Sequence, residues 1–418
     1  MKVLIINTSE RVGGAAIAAN RLMQALKRSG THATMLVRDR QTDSLSVSAV
    51  PSSWLLPLKF LWERLVIFLN NGWQRRQVFA VDIANTGTDI TRMKEFRQAD
   101  VVHLHWVNQA FLSLRTIERI LASGKRVVVT MHDMWYITAV CHHANTCTRY
   151  ETECARCPFL HCLPGIDLAR NVFRRKQQMY ARHPRLTFVG CSRWITRLAE
   201  RSALTDGRRC VSIPNPIDTA LFAPADKAEA RRACQLPDDP DLRLLLYTCR
   251  RITDEAKGFR FLSEACRILQ TQHPDLAAHT AIVVVGDESA AVREQIDLPV
   301  YSIDYVSSEQ QMVQIYNAVD LYVTPSLQDN LPNTIMEAMA CAVPCVGFDI
   351  GGIPEMIDDR QSGYVARYRD AQDFADGIVW ALHPDRYDDL SRHARQKVLD
   401  NYTEERIAKL YMDIYADA

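Results

Sequence analysis

Short runs of consecutive apolar residues recur along this chain, with stretches of helical periodicity between them. Unbroken runs of this length mark strands covered on both faces, the condition of a parallel sheet sandwiched by helices. Met1–Asn7 is the first run, and it leads through Gly13-Gly14 into AAIAANRLMQAL, whose apolar residues repeat at helical spacing. Others stand at Ala33–Val37, Val101–Leu104, Val127–Met131 and Thr187–Cys191. A second series follows at Leu242–Thr248, Ala281–Val285, Leu321–Val323 and Pro344–Phe348. Two series of strand, turn and helix predict an α/β protein of two Rossmann-like, doubly wound domains facing across a cleft. A length of 418 residues suits two domains. The Pro-rich stretch Pro214–Pro224 is the expected linker, dividing 1–217 from 218–400, and 401–418 reads as a capped amphipathic helix.

Composition excludes several classes. Fifty Lys and Arg against 49 Asp and Glu leave a formal net charge of +1, which argues against nucleic-acid binding, so an anionic partner must be met by a local patch. The opening MKVLIINTSE is too short for the apolar core of a signal peptide, and no run of about 18 uncharged apolar residues exists. A cytoplasmic protein is expected, and its 12 cysteines should be thiols or metal ligands.

The densest chemistry lies in Pro325–Glu355, PSLQDNLPNTIMEAMACAVPCVGFDIGGIPE. Pro332 suits the first position of a helix over Asn333–Cys341, which puts Asp329, Asn330 and Leu331 in the loop at its positive end, where backbone N–H groups suit a pyrophosphate or a sugar. Asp329 and Glu337 are carboxylates without a neighbouring cation, suited to accepting hydrogen bonds from hydroxyls, although Glu337 taken alone reads equally as a solvated helix residue. Gly351-Gly352 before Pro354 makes a second tight turn. Upstream, Arg251 and Lys257 (with Arg250 a near-equal candidate) are cations able to reach one diphosphate.

This stretch resembles the signature of the family-four retaining glycosyltransferases of the GT-B fold, in which two glutamates eight positions apart frame an EAMACG-type helix. Glu337 matches the second, which in the family binds the ribose. Asp329 stands at the first, one methylene shorter, and Ala342 stands where the family usually has Gly. The resemblance extends over nearly the whole chain. It implies that Arg251 and Lys257 clamp the donor diphosphate, that Gly286 ends a donor-binding strand, and that Val306, in Asp304-Tyr305-Val306, lies by the base. It further implies a hinge at SIPNPIDTALF, with Asn215 and Asp218 near the cleft, and a last helix returning to the N-terminal domain. Gly13 and Gly14 would let the backbone approach the donor phosphates.

In the first half, His132 and Asp133 stand at the end of a buried run, where α/β sites form. The family places a His here beside the donor sugar, with Asp133 fixing its tautomer or orienting a neighbour; a core histidine satisfied by a carbonyl is the plain alternative. His105, next to Trp106, is the expected acceptor residue, because sugars stack on aromatic faces, and His103 is expected in the core. What the resemblance implies is transfer from a UDP- or GDP-sugar to a glycan acceptor, with retention and with no metal in the chemical step. The acceptor would be lipid-carrier-linked, in exopolysaccharide, capsule or lipopolysaccharide synthesis. A GT-B sugar-nucleotide epimerase is the alternative enzyme, and a silent scaffold that binds a membrane or partner is the alternative of another class, to which the Asp329 departure lends weight.

Two features fall outside that pattern. Cys141, Cys147, Cys154 and Cys157, in a loop spanning 141–162, have the spacing C-x5-C-x6-C-x2-C, with His142, His143, His161 and Cys162 nearby. Four thiolates can close a tetrahedral structural zinc site, and buried thiols or disulfides are the alternatives. Within 53–73, Leu58, Leu61, Trp62, Leu65, Phe68 and Leu69 share one helical face, widened by Phe60 and Ile67 and flanked by Trp54, Trp73, Arg75 and Arg76. With Lys59, Glu63 and Arg64 it is too charged to span a bilayer, and reads either as an interfacial helix at a membrane surface or as a core or dimer helix. From Ala169 to Ala199 there are eight Arg and Lys and no acid, which suggests a basic surface on the same half.

Overall fold

The computed structural model describes residues 1–74, 77–160, 167–251, 254–287 and 289–417. The chain divides into two compact units, Met1–Pro216 with Glu404–Ala418, and Ile217–Thr403. These borders lie a few residues from the expected 217/218 and 400/401.

The first unit holds seven strands: β1 (Lys2–Ser9), β2 (His32–Asp39), β3 (Val47–Ala49), β4 (Val101–Leu104), β5 (Arg126–Met131), β6 (Thr187–Gly190) and β7 (Arg209–Ser212). The second holds six: β8 (Arg243–Arg251), β9 (Thr280–Asp287), β10 (Val300–Ile303), β11 (Leu321–Thr324), β12 (Cys345–Phe348) and β13 (Gly363–Ala366). Their orders are 3-2-1-4-5-6-7 and 10-9-8-11-12-13, with the paired strands parallel. Both sheets therefore reverse their winding once, between β1 and β4 and between β8 and β11. Outside the carboxyl ends of such a pair a crevice opens, and ligands of this fold class bind there.

The unbroken apolar runs follow from burial on both faces. Along β1, Val3 and Ile5 enter one core while Leu4 and Ile6 enter another, and β5 divides Val128 from Val127 and Val129 in the same way. The helix Gly14–Arg28 covers one face with Leu22, Met23 and Leu26. The helix Glu404–Asp417 completes that face with Ile407, Tyr411, Ile414 and Tyr415. Arg28 and Glu404 pair across the two helices. β3, β7, β10 and β13, which the apolar runs did not announce, are the four edge strands.

The helix predicted over Asn333–Cys341 spans Asn333–Ala340, and Pro332 stands just ahead of it rather than at its first position. Past its end Ala342 adopts φ +61°, the left-handed conformation that favours glycine. Relief of that strain outweighs the extra chain entropy of glycine, so Ala342→Gly should stabilise the second unit by roughly 0.5 kcal/mol. A rise in the urea midpoint of that unit checks it.

Candidate functional site

In the second unit the loops after β8, β11 and β12 meet at the winding reversal. Gly258, at φ +68°, opens the helix Phe259–Gln272, and a Cβ there would lie 1.9 Å from the Pro325 carbonyl oxygen. The Leu327 N–H donates to the Ala256 carbonyl at 2.7 Å, which binds the same two loops. Gly351, at φ +61°, is pressed as closely on the Asp329 carbonyl, where a Cβ would stand 1.7 Å away. Only residues without a side chain allow these approaches.

Lys257 and Asp329 are joined across this junction, Nζ to Oδ2, at 2.9 Å. The Asp329 carboxylate raises the lysine pKa above its ordinary value, against burial, which lowers it. The expectation of a carboxylate without a neighbouring cation is therefore corrected: Asp329 holds one and orients it. Glu337, on the following helix, is buried and accepts a hydrogen bond from the Tyr316 hydroxyl at 2.8 Å, so it is not a solvated surface carboxylate. Asn330 and Leu331 are buried beside it. Arg250 and Arg251, at the end of β8, are exposed, and the Arg250 guanidinium lies 5.9 Å from the Tyr305 ring centroid. Gly286, in β9, is held at φ +154° against the Cys249 carbonyl, while Val306 follows β10 half-buried and Gly352 precedes the short helix Ile353–Met356. Asp218 caps its own turn, accepting from the Ala220 and Leu221 N–H groups.

In the first unit Gly13, at φ +94°, lets the chain enter the helix Gly14–Arg28, and both glycines are exposed at its N-terminal end. At the ends of β4 and β5 lies a chain of three histidines. His103 is buried between the Tyr415 hydroxyl and Thr130 Oγ1, each at 2.7 Å, in the core as expected. His105 Nδ1 shares a hydrogen bond of 2.9 Å with His132 Nε2, and the two rings stack at 5.1 Å. Burial pushes all three imidazoles toward the neutral form, His132 down to about 4 against the opposing pull of Asp133.

Two expectations change here. His105 is 1% exposed and bonded to His132, so it offers no surface for an acceptor to meet. Asp133 does not bond His132. Its Oδ2 accepts from the Trp106 indole N–H at 2.8 Å and pairs with His142 Nδ1 at 2.7 Å, and its Oδ1 accepts the Trp135 N–H. Burial would raise its pKa, but His142 and these donors hold it down at about 2. The same pairing raises His142 against burial. Asp133 thus orients neighbours, Trp106 among them, and His142 is engaged away from the cysteines. Nothing in the sequence marked His142 or Tyr316 as partners: His142 returns to Asp133 across the turn after β5, and Tyr316 lies on a different helix from Glu337.

The apolar segment forms the helix Leu55–Asn70, whose charged pair is buried and whose apolar face is in large part exposed. Glu63 and Arg64 face inward: Arg64 bonds Asp82 at 3.0 Å and the Val78 carbonyl at 2.7 Å, and Glu63 accepts the Ala84 N–H. Burial, then Asp82, raises the Glu63 pKa. Leu58, Leu61, Trp62 and Leu65 face outward, with Leu61 60% and Trp62 57% exposed. Phe68 instead packs on the core and on Trp73. Arg75 and Arg76 lie outside the described residues. At least half of the eight basic residues of the expected surface at 169–199 are engaged: Lys176 is buried, Arg170 and Arg174 pair with Glu153, and Arg182 pairs with Glu118.

Cys141, Cys147, Cys154 and Cys157 line one small cavity as free thiols. His161 and Cys162 lie outside the described residues, among which no group of three or more His, Cys, Asp or Glu is closed to metal-holding spacing. No helix among them is long and apolar enough to cross a membrane.

Comparison with known proteins bears on both units. Residues 12–221 match the pattern of Glycosyltransferase Family 4, and residues 243–383 match that described as Glycosyl transferases group 1. Over 214 residues the chain is 31% identical to a D-inositol 3-phosphate glycosyltransferase of Saccharomonospora viridis, covering 48% of each protein. The chain spans about half the length of the curated relatives it matches. Two solved structures align over 100% of both chains: a sucrose-phosphate synthase from Thermosynechococcus elongatus (TM-score 0.67, 17% identity) and Anabaena HepE in complex with UDP and glucose (TM-score 0.64, 15% identity). At such identities the likeness is one of fold, the GT-B build of two Rossmann-like units. With its first unit matched by the family-four pattern and its second by the group 1 pattern, the chain belongs to glycosyltransferase family 4.

Proposed function

We propose that this protein is a retaining glycosyltransferase that moves a sugar from a UDP- or GDP-sugar to a glycan acceptor carried on a lipid. The observation that supports this most is the junction of three loops in the second unit, where Lys257, held by Asp329, stands ahead of the helix carrying Glu337. Glu337 takes the ribose hydroxyls, and Asn330, Leu331, Gly351 and Gly352 supply backbone close to the donor. In the reaction the acceptor hydroxyl oxygen bonds the anomeric carbon on the face the diphosphate leaves. The bond from that carbon to the β-phosphate oxygen breaks, and the hydroxyl proton passes to a phosphate oxygen. Lys257 and Arg251, with Arg250 beside it, stabilise the departing diphosphate, so the scheme needs no metal in the chemical step. His132 hydrogen-bonds the sugar as a neutral imidazole, and Trp106, steadied by Asp133, offers the acceptor an aromatic surface. The D-inositol 3-phosphate glycosyltransferase name of the relative and the UDP and glucose held by HepE are consistent with a nucleotide-sugar donor.

A lipid-linked acceptor is supported by the helix Leu55–Asn70. Its acid and its arginine are buried in an ion-paired network, and its leucines and tryptophans face out. A helix so inverted is suited to the headgroup boundary of a bilayer, where exposed Trp54, Trp62 and Trp73 find an interface that is apolar on one side and wet on the other. Surface polysaccharide assembly at the inner face of the cytoplasmic membrane is the setting this reading implies.

Incubation with a panel of UDP- and GDP-sugars and lipid extract should release nucleotide from one donor. Lys257→Ala should then lower kcat by about 100-fold or more. Equal turnover by Lys257→Ala and wild type would refute the assignment. Because the His132 proton is taken up only as pH falls through about 4, its protonation should leave kcat/KM unaffected down to about pH 5. A wild-type acid limb near 6.5 that His132→Gln abolishes would overturn this. In flotation with anionic vesicles the wild type should rise with the lipid and a variant carrying Leu58→Ser, Leu61→Ser and Trp62→Ser should stay behind. Equal flotation would show that the helix is not the contact, and concentration-dependent self-association abolished by the same changes would identify it as a dimer face.

A further inference from the structure

Cys141, Cys147, Cys154 and Cys157, spaced along one turning loop, pack in or against the core of the first unit and line the same cavity. Its volume is about 20 Å³, room for one atom-sized guest, and Ala139, Val140, Tyr150 and Phe159 make up much of the remaining wall. A water there would want two to four good hydrogen-bond partners, and thiols are poor ones.

A second observation comes from the helix beneath. Lys176 is fully buried, with Nζ donating to the carbonyls of Trp135 at 2.6 Å and Thr138 at 3.1 Å and lying 3.5 Å from the Trp135 ring centroid. Its hydrogen bonds go to these carbonyls and to no carboxylate, and Asp82 leads the negative groups whose charge it feels, ahead of Cys154 and Cys141. A zinc ion with four thiolates carries a net charge of −2, a counter-charge for this ammonium.

We propose that Cys141, Cys147, Cys154 and Cys157 bind one structural zinc ion. The spacing ends in the C-x2-C of zinc knuckles, four sulfur ligands satisfy a tetrahedral d10 ion, and the cavity is too small for an iron–sulfur cluster. On binding, four S–H bonds give four Zn–S bonds and four protons pass to solvent. The thiols lie wider than a bound ion would hold them, so zinc draws them inward. The ion is not catalytic. It closes the segment 141–157, near whose start His142 pairs with Asp133 at 2.7 Å and accepts the Met134 N–H on its carbonyl at 2.8 Å. Through His142 the closed segment is tied to the turn whose Asp133 accepts the Trp106 indole N–H.

Elemental analysis of the untagged full chain should find about one zinc per chain. Cys154→Ser and Cys157→Ser should lose it, while Cys234→Ser, in the other unit, should keep it. If the serine variants fail to fold, the wild type still decides: after chelation, cobalt(II) should give the bands of a tetrahedral thiolate site. Thiol alkylation followed by mass spectrometry should spare the four cysteines until chelator is added. Substoichiometric metal with no cobalt bands, or disulfides among the four, would overturn the proposal.

Discussion

Burial of parallel strands on both faces is the constraint from which the rest of this protein follows. A strand with no wet face can be crossed only by helices above and below, so its connections turn back over the sheet and all carboxyl ends point the same way. Each unit then has one place where winding reverses, and there the loops must diverge. The Lys257–Asp329 pair and the His105–His132 pair lie at those ends, on loops after β8 and β11 in one case and after β4 and β5 in the other. The chemistry varies with the loops while the two cores of each sheet stay fixed.

How much of this could be read in the sequence followed burial. Central strands such as Val101–Leu104 are apolar throughout because both faces are covered. The four strands that escaped notice sit at sheet edges, where β7 (RCVS) and β10 (VYSI) keep part of their surface in solvent and so never become a continuous run. For the helix Leu55–Asn70 the same reasoning found the residues of the apolar face but left open whether that face meets a membrane surface or a core, and it did not show where Glu63 and Arg64 point. Glu63 and Arg64 are inside because Asp82 and the Ala84 and Val78 backbone meet them there, partners that lie 14 to 21 residues away and leave no local trace.

The candidate sites divide similarly. Residues fixed by backbone demands were legible at Gly351 and at the left-handed Ala342, whereas Gly258, under the same kind of demand, was not singled out. Pairings between turns were not legible. Asp329 was expected to await a hydroxyl and instead carries Lys257; Asp133 was expected beside His132 and instead joins Trp106, Trp135 and His142. In each case a carboxylate in a closing loop takes the nearest strong donor, which sequence spacing does not reveal. The shorter Asp329 is matched by a lysine that reaches it, so the pair keeps a charge at the loop junction with one methylene fewer.

The helix Glu404–Asp417 has a consequence for the order in which the molecule is made. Ile407, Tyr411 and Tyr415 finish a core that begins at Val3, and Tyr415 caps His103 from 312 residues away. During synthesis the helix Gly14–Arg28 covers part of this face of the sheet early, but the part under Ile407, Tyr411 and Tyr415 stays uncovered until the helix Glu404–Asp417 has emerged. The second unit, continuous from Ile217 to Thr403, has all its own segments earlier than that. The first unit is thus completed only after the second has all its segments, and in that interval the apolar surface awaiting Ile407, Tyr411 and Tyr415 is open to aggregation.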